Sequence, residues 1–207
     1  MATLSRRTEP QSARRAQIER SVIEATQRLL ERGTPYAELN VERIANEAGI
    51  SRTAFYFYFR DKRELLMRAT EEVAARLEAE GERWLDGAGG PEELEPALRR
   101  IAAIYREHGP SLRAVVETSA YDESVAVFWR ELIGRFVTRT TARIEAEQAA
   151  GRASAVIPAQ ATAFALCWMT ERTCYESLAQ GGAIDAALPE ALAAVWVGTV
   201  YGHAGGD

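Results

Sequence analysis

The sequence predicts an all-α protein of about nine helices, and three observations carry that expectation. Apolar residues recur at spacings of three and four almost throughout, while no stretch alternates with a period of two for long. Glycine and proline fall between the periodic stretches, as at Gly33-Thr-Pro35, His108-Gly-Pro110 and Gly181-Gly182, where helices are expected to stop. The length of 207 residues suits one small and one larger unit, and the charge divides in the same way. Residues 1–68 hold 13 Lys+Arg against 9 Asp+Glu, residues 69–207 hold 12 against 21, and the net charge is −5. A basic head on an acidic body is expected.

The head builds up in order. Residues 1–11, with Arg6, Arg7 and Pro10, read as a flexible basic arm able to lie along an anionic groove, followed by Arg14 and Arg15. Ser12 or a neighbour opens a first helix with Ile18, Val22, Ala25 and Leu29 on one face. Asn40 caps a second, short helix whose Val41, Ile44, Ala45 and Ala48 make one apolar stripe. Gly49 supplies a left-handed stop, Ile50 fills the turn, and Ser51 caps a third helix from Arg52. On that helix Phe55 faces the stripe and Phe59 closes the end, while Arg52, Thr53, Tyr56 and Phe57 point elsewhere. Asp61 and Glu64 then form a capping box that puts Lys62 and Arg63 in the first turn of a long fourth helix. That helix runs through Leu66, Ala69, Val73 and Leu77 to Trp84, before Gly87-Ala-Gly-Gly-Pro91.

The body, residues 69–207, continues the pattern. Leu94, Leu98, Ile101 and Tyr105 share one helix, and a short helix carries Val115 and Val116. A long one from about Glu123 to Ala150 carries Val125, Trp129, Leu132, Phe136 and Ile144. Pro158 starts another, with Phe164, Cys167, Trp168, Glu171, Cys174, Tyr175 and Leu178 in register, and a last helix runs from Pro189 to about Tyr201. From Ala191 to Gly202 that last helix has no charged residue, so burial on all sides is expected. One face then packs within the subunit and the other, with Ala193, Val197, Val200 and Tyr201, against a second copy. Glu171 shares a helical face with Cys167, Trp168, Cys174 and Tyr175, an apolar setting in which a carboxylate requires an internal partner or a cavity.

Composition excludes several classes of function. There is no apolar N-terminal core of signal-peptide length, and the charge-free stretch 191–202 falls short of the roughly 20 residues a bilayer span requires. A cytoplasmic protein is expected. Cys167 and Cys174, two turns apart on one helix, lie about 10 Å apart, beyond disulfide reach. His108 and His203 stand in no metal-ligand spacing, and no phosphate loop or nucleophile elbow is present. Neither a catalytic residue, a metal nor a cofactor is therefore expected; the chain does not read as an enzyme.

What remains is a helix-turn-helix. Solvent gives no reason to expose Tyr56, Phe57 and Tyr58 together, but phosphates and thymine methyls do. The run Val41-x-x-Ile-Ala-x-x-Ala-Gly-Ile-Ser51, with Tyr56, Tyr58, Phe59, Lys62, Leu65 and Leu66 in register, resembles the TetR family of bacterial transcriptional regulators. The resemblance implies a three-helix DNA-binding head, a helical body and a two-fold dimer built from the last two helices of each subunit. It further implies that Tyr56 and Lys62 contact phosphates of double-stranded DNA and that Ser51, Arg52 and Thr53 approach base edges. Arg43, Phe57 and Tyr58 complete the expected DNA face.

The body segments Thr170-Glu-Arg-Thr173 and Trp196-Val-Gly-Thr-Val-Tyr-Gly202 are similar to those of a ligand-gated member of that family with a narrow apolar tunnel. By position Phe136, Cys167, Thr170, Glu171 and Trp196 would fall on its walls, and the aromatics Tyr105, Phe164, Trp168 and Tyr175 are at hand beside them. Cys167 and Thr170 replace two amides of that tunnel. The expected function is a homodimeric repressor that leaves a palindromic operator when a small hydrophobic ligand binds; the alternative is a regulator whose body is filled core without a ligand.

Overall fold

The computed structural model describes residues 9–87, 89–179 and 184–202. Among these are nine α-helices and no strand: α1 (Glu9–Glu31), α2 (Val41–Glu47), α3 (Arg52–Tyr58), α4 (Lys62–Leu85), α5 (Leu94–Glu107), α6 (Gly109–Ser119), α7 (Glu123–Ala149), α8 (Ala159–Ala179) and α9 (Leu188–Val200). Short 3-10 turns at Tyr36–Glu38 and Pro91–Glu93 complete the order. The chain resolves into two compact units, Met1–Thr70 and Glu71–Asp207, with the boundary inside α4. None of the described helices is long and apolar enough to cross a membrane.

Arg6 and Arg7 of the expected arm lie outside the described residues, as do Gly181-Gly182 and His203. The first helix opens at Glu9, so residues 9–11 are helical and not part of an arm. Pro10 falls in the first turn, where its missing N–H removes no hydrogen bond.

In the first unit α1, α2 and α3 pack on one another. Val22, Ala25 and Leu29 of α1, Ile44 and Ala45 of α2, and Phe55 and Phe59 at α3 are all buried, with Tyr36 and Leu39 between them and Leu65, Leu66 and Ala69 from α4. Glu47 of α2 pairs with Arg28 and Arg32 of α1, at 3.2 and 3.0 Å.

In the second unit α7 packs on α6 and α8, and α5 on α9. No sequence pattern marks the buried charge cluster found here. Glu147, fully buried, receives Arg143 Nη2 at 2.8 Å and Arg152 Nη2 at 2.7 Å. Arg143 also donates to the Gly89 carbonyl at 2.6 Å, and its guanidinium lies 5.7 Å from the ring centre of Trp84. Trp84 Nε1 in turn donates to the Tyr201 hydroxyl at 2.9 Å. The end of α4, the following loop, α7 and the end of α9 are thus joined through one polar cluster.

The last helix corrects an expectation. Leu192, Ala193, Trp196 and Val200 form its inward stripe, with Val200 at 0% exposure. The residues Ala191, Ala194, Val195 and Gly198 are exposed, and Val197 is half-buried. Ala193 and Val200 are therefore committed to the subunit's own core, and Tyr201 is tied inward by Trp84, so these three do not form an outward surface. The helix is not buried all round within one chain because a single layer of neighbours covers one face only.

Candidate nucleic-acid interface and body site

The reading head is assembled by three side-chain caps. Asn40 Oδ1 accepts from Arg43 N at 2.8 Å and starts α2. Gly49 turns the chain at φ +69, a left-handed conformation that costs a glycine little. Ser51 Oγ accepts from Ala54 N at 3.0 Å and starts α3. Asp61 Oδ1 accepts from Glu64 N at 2.9 Å, and Glu64 reaches back to Arg60 N at 2.8 Å, a capping box displaced by one residue. Hydrogen bonds from Arg60 and the Arg68 charge hold the Glu64 carboxyl below its usual range.

Packing then decides which face of α3 looks outward. Phe55 is fully buried, while Tyr56 is 48% and Phe57 73% exposed. Ser51, Arg52 and Thr53 at the start of the helix are exposed as well. Tyr58 is half-buried, its ring 5.7 Å from the Arg15 guanidinium. Arg43 is exposed and donates to Thr34 Oγ1 at 3.1 Å. Exposed polar, cationic and aromatic side chains, Ser51, Arg52, Thr53, Tyr56 and Phe57, are thus presented by α3 and its cap, residue types suited to a groove lined by phosphates and base edges.

Lys62 departs from its expected part. Its Nζ donates to the carbonyls of Tyr36, Ala37 and Leu39 at 3.2, 3.1 and 3.1 Å. The Tyr36 hydroxyl donates back to the Lys62 carbonyl, and the ammonium sits 5.3 Å from the Tyr36 ring centre. An ammonium has three donors, and all three are engaged. Burial holds its pKa below the ordinary lysine value. In this geometry Lys62 fastens α4 to the 3-10 turn at Tyr36–Glu38, and a direct bond to phosphate requires breaking that clamp.

In the body, Tyr105, Cys167, Thr170, Glu171 and Trp196 are all buried, and Phe136, Trp168 and Tyr175 half-buried. Phe164, at 57% exposure, does not line the interior: it lies outward beside Trp168, ring centres 6.2 Å apart. The polar atoms here fall into two groups. Trp196 Nε1 donates to Thr170 Oγ1 at 2.9 Å, Thr170 Oγ1 to the Leu166 carbonyl at 2.9 Å, and Cys167 Sγ to Thr140 Oγ1 at 3.6 Å. Glu171, only 3% exposed, has neither carboxylate oxygen hydrogen-bonded. Arg172 Nε stands 3.9 Å from Glu171 Oε2, a loose ion pair too long for a hydrogen bond. Burial pushes the Glu171 acid above its usual range, and it pushes the thiols of Cys167 and Cys174 up to about 11 and about 12. Among the described residues no cluster of three or more His, Cys, Asp or Glu is placed to hold a metal.

A capped helix-turn-helix on an all-helical body defines a DNA-binding transcriptional regulator, and comparison with known proteins says which kind. Residues 22–69 match the family described as bacterial regulatory proteins, tetR family, and residues 94–202 match the C-terminal domain of the transcriptional regulator EthR. The HTH-type transcriptional regulator EthR of Mycolicibacterium smegmatis is 30% identical over 98% of this chain and 97% of its own. Its namesake in Mycobacterium tuberculosis is 28% identical over 89% and 88%. Among solved structures, the fatty acid degradation regulator FadR of Bacillus halodurans superposes with a TM-score of 0.74 at 15% identity, covering 87% of this chain and 95% of that one. FadR of Bacillus subtilis, solved in complex with stearoyl-CoA, superposes with a TM-score of 0.71 at 14% identity, covering 87% and 98%. The chain belongs to the TetR family of bacterial transcriptional regulators, with a body of the EthR type. It is a DNA-binding regulator and not an enzyme.

Proposed function

We propose that the protein is a homodimeric cytoplasmic repressor that leaves a palindromic operator when a small, mainly apolar ligand enters its body. The observation that carries the DNA half is α3, capped by Ser51 and anchored by buried Phe55, with Arg52, Thr53, Tyr56 and Phe57 presented outward. A palindrome asks for two such heads about 34 Å apart, hence for a two-fold dimer. The apolar outward residues of α9 and the exposed Phe164 of α8 support that dimer. The ligand half is supported by the orphaned Glu171 among buried aromatics, and by the stearoyl-CoA held by Bacillus subtilis FadR. Ligand acts by favouring a body conformation that shifts α4 and spoils the spacing of paired heads.

The test begins with DNA selected from a random pool by the full-length protein. Binding to the selected site should weaken steeply with salt, as counterion release requires. Combined Arg52→Ala and Tyr56→Ala should lower affinity by about 1–3 kcal/mol per lost contact. Unchanged affinity of that double variant at every salt concentration would refute the assignment of α3.

A second reading is a body of filled core without a ligand. The Trp196–Thr170 and Cys167–Thr140 hydrogen bonds favour it, because they satisfy polar groups internally. On that reading no apolar compound alters operator binding.

A further inference from the structure

Two kinds of polar group stand side by side in the body. Those of Thr170, Cys167 and Trp196 are bonded to one another or to neighbouring helices, and so ask nothing of a ligand. Glu171 is different: 97% of its surface is withdrawn from solvent, and both its oxygens are without a hydrogen-bond donor. Its electrostatic neighbours are Arg172 and Glu176 on α8, which act in opposite senses, together with the buried Tyr105 hydroxyl on α5 and the buried Cys174 thiol one turn further along α8. Of these only Arg172 carries a positive charge. A buried carboxylate with no partner is among the most costly groups a core can hold, and it is relieved either by taking a proton or by meeting a cation. Arg172 supplies that cation only loosely: half exposed, its Nε stands 3.9 Å from Glu171 Oε2, beyond hydrogen-bond reach, while it lies against the Tyr175 ring, 5.0 Å from its centre, and also faces Glu176 at 3.6 Å.

We propose that Glu171 is the polar anchor of the body's ligand site and selects ligands that carry a protonated amine on an apolar chain or ring system. The inference rests on the ligand-gated reading above and adds the ligand's charge. The ammonium donates to the two free Glu171 oxygens, the Tyr105 ring and hydroxyl flank it, and the apolar part lies along the buried aromatic wall ending at Trp196. An anion of the same length meets the Glu171 charge and is rejected; a neutral alcohol lacks the charge-assisted bond.

The experiment compares decylamine, decanol and decanoate with the full-length protein, by calorimetry at neutral pH and by displacement of selected operator DNA. Decylamine should bind about tenfold or more tighter than decanol, with decanoate weakest, as a charge-assisted bond in a dry site demands. Glu171→Gln, which keeps shape but not charge, should reduce the amine's advantage over the alcohol to less than about threefold. Equal binding of amine and alcohol by the unaltered protein, or an undiminished amine preference in Glu171→Gln, overturns the proposal, and the first comparison needs no variant. Amine binding that depends on Glu171 but leaves the operator complex intact supports the anchor and removes the gating. Operator release by decanol or decanoate with no amine preference retains the gating and removes the anchor. Absence of binding by all three overturns the anchor.

Discussion

Lys62 is the single lysine among 25 basic residues, and it occupies a place that arginine chemistry does not fit. Three carbonyls converge on one nitrogen there, which a compact ammonium satisfies and a planar guanidinium does not. Family resemblance pointed to a phosphate contact; the structure points inward. The two roles separate by experiment. Lys62→Ala should destabilise the head by about 1–3 kcal/mol, the cost of losing hydrogen bonds from a charged donor. It should leave the salt dependence of operator binding unaltered, whereas a lysine that neutralises a phosphate takes about 0.9 from the slope of log K against log salt. A reduced slope with unchanged thermal stability would restore the phosphate contact. The caps at Asn40, Ser51 and Asp61 were readable because a cap is a local event within three residues. The clamp was not, because its acceptors are backbone carbonyls 23 to 26 residues away, which no side-chain pattern marks.

At the scale of elements, helical periodicity located each helix of the described residues, since its signal repeats over several turns. Which side of a uniformly apolar helix faces inward was not legible, because α9 offers no polar stripe to break the symmetry. Packing on α5 resolves it: Leu192, Ala193, Trp196 and Val200 go in, and Ala191, Ala194, Val195 and Gly198 stay out. The same outward character appears on α8 at Ala161, Phe164 and Ala165. If these faces join two copies, Phe164→Glu combined with Val195→Glu should yield a folded monomer, since both residues are exposed in the single chain. Operator affinity should then fall by about 10²–10⁴, the avidity of two linked half-site contacts. The molar mass in solution decides: a dimer that survives both charges has its interface elsewhere. Helix α8 also shows why the ligand residues were only partly legible. Glu171 was expected on the wall from the family resemblance and Phe164 was counted among the aromatics beside it, yet the two lie on opposite sides of the burial boundary.

Across the second unit, stability depends on a charge that the sequence hid. Arg143 and Glu147 stand four apart on α7, the spacing of an ordinary surface pair, but the fold buries both. The hydrogen bond from Arg152, then the Arg143 charge, hold the Glu147 carboxyl below its unfolded value of about 4.5. A depressed carboxylate contributes stability that is present above the unfolded pKa and lost as pH falls through the folded one. Unfolding free energy should therefore drop on acidification below about pH 4.5. Glu147→Gln should lower it by about 3–5 kcal/mol at neutral pH, because Arg143 is left buried without its counter-charge, and should flatten that acid limb. A Glu147→Gln protein as stable as the parent, with the same acid profile, would show the cluster to be incidental. The division into a basic head and an acidic body was legible from charge alone, whereas this long-range cluster required Gly89, Trp84 and Tyr201 to be brought to α7 by folding. The solitary lysine has one more consequence. Apart from the chain's own amino terminus, an amine-directed reagent meets a single target in this protein, and that target is held in a closed ring of carbonyls. Its rate of labelling is thus a clock for the opening of the DNA-reading head, read out without any probe being engineered into the molecule.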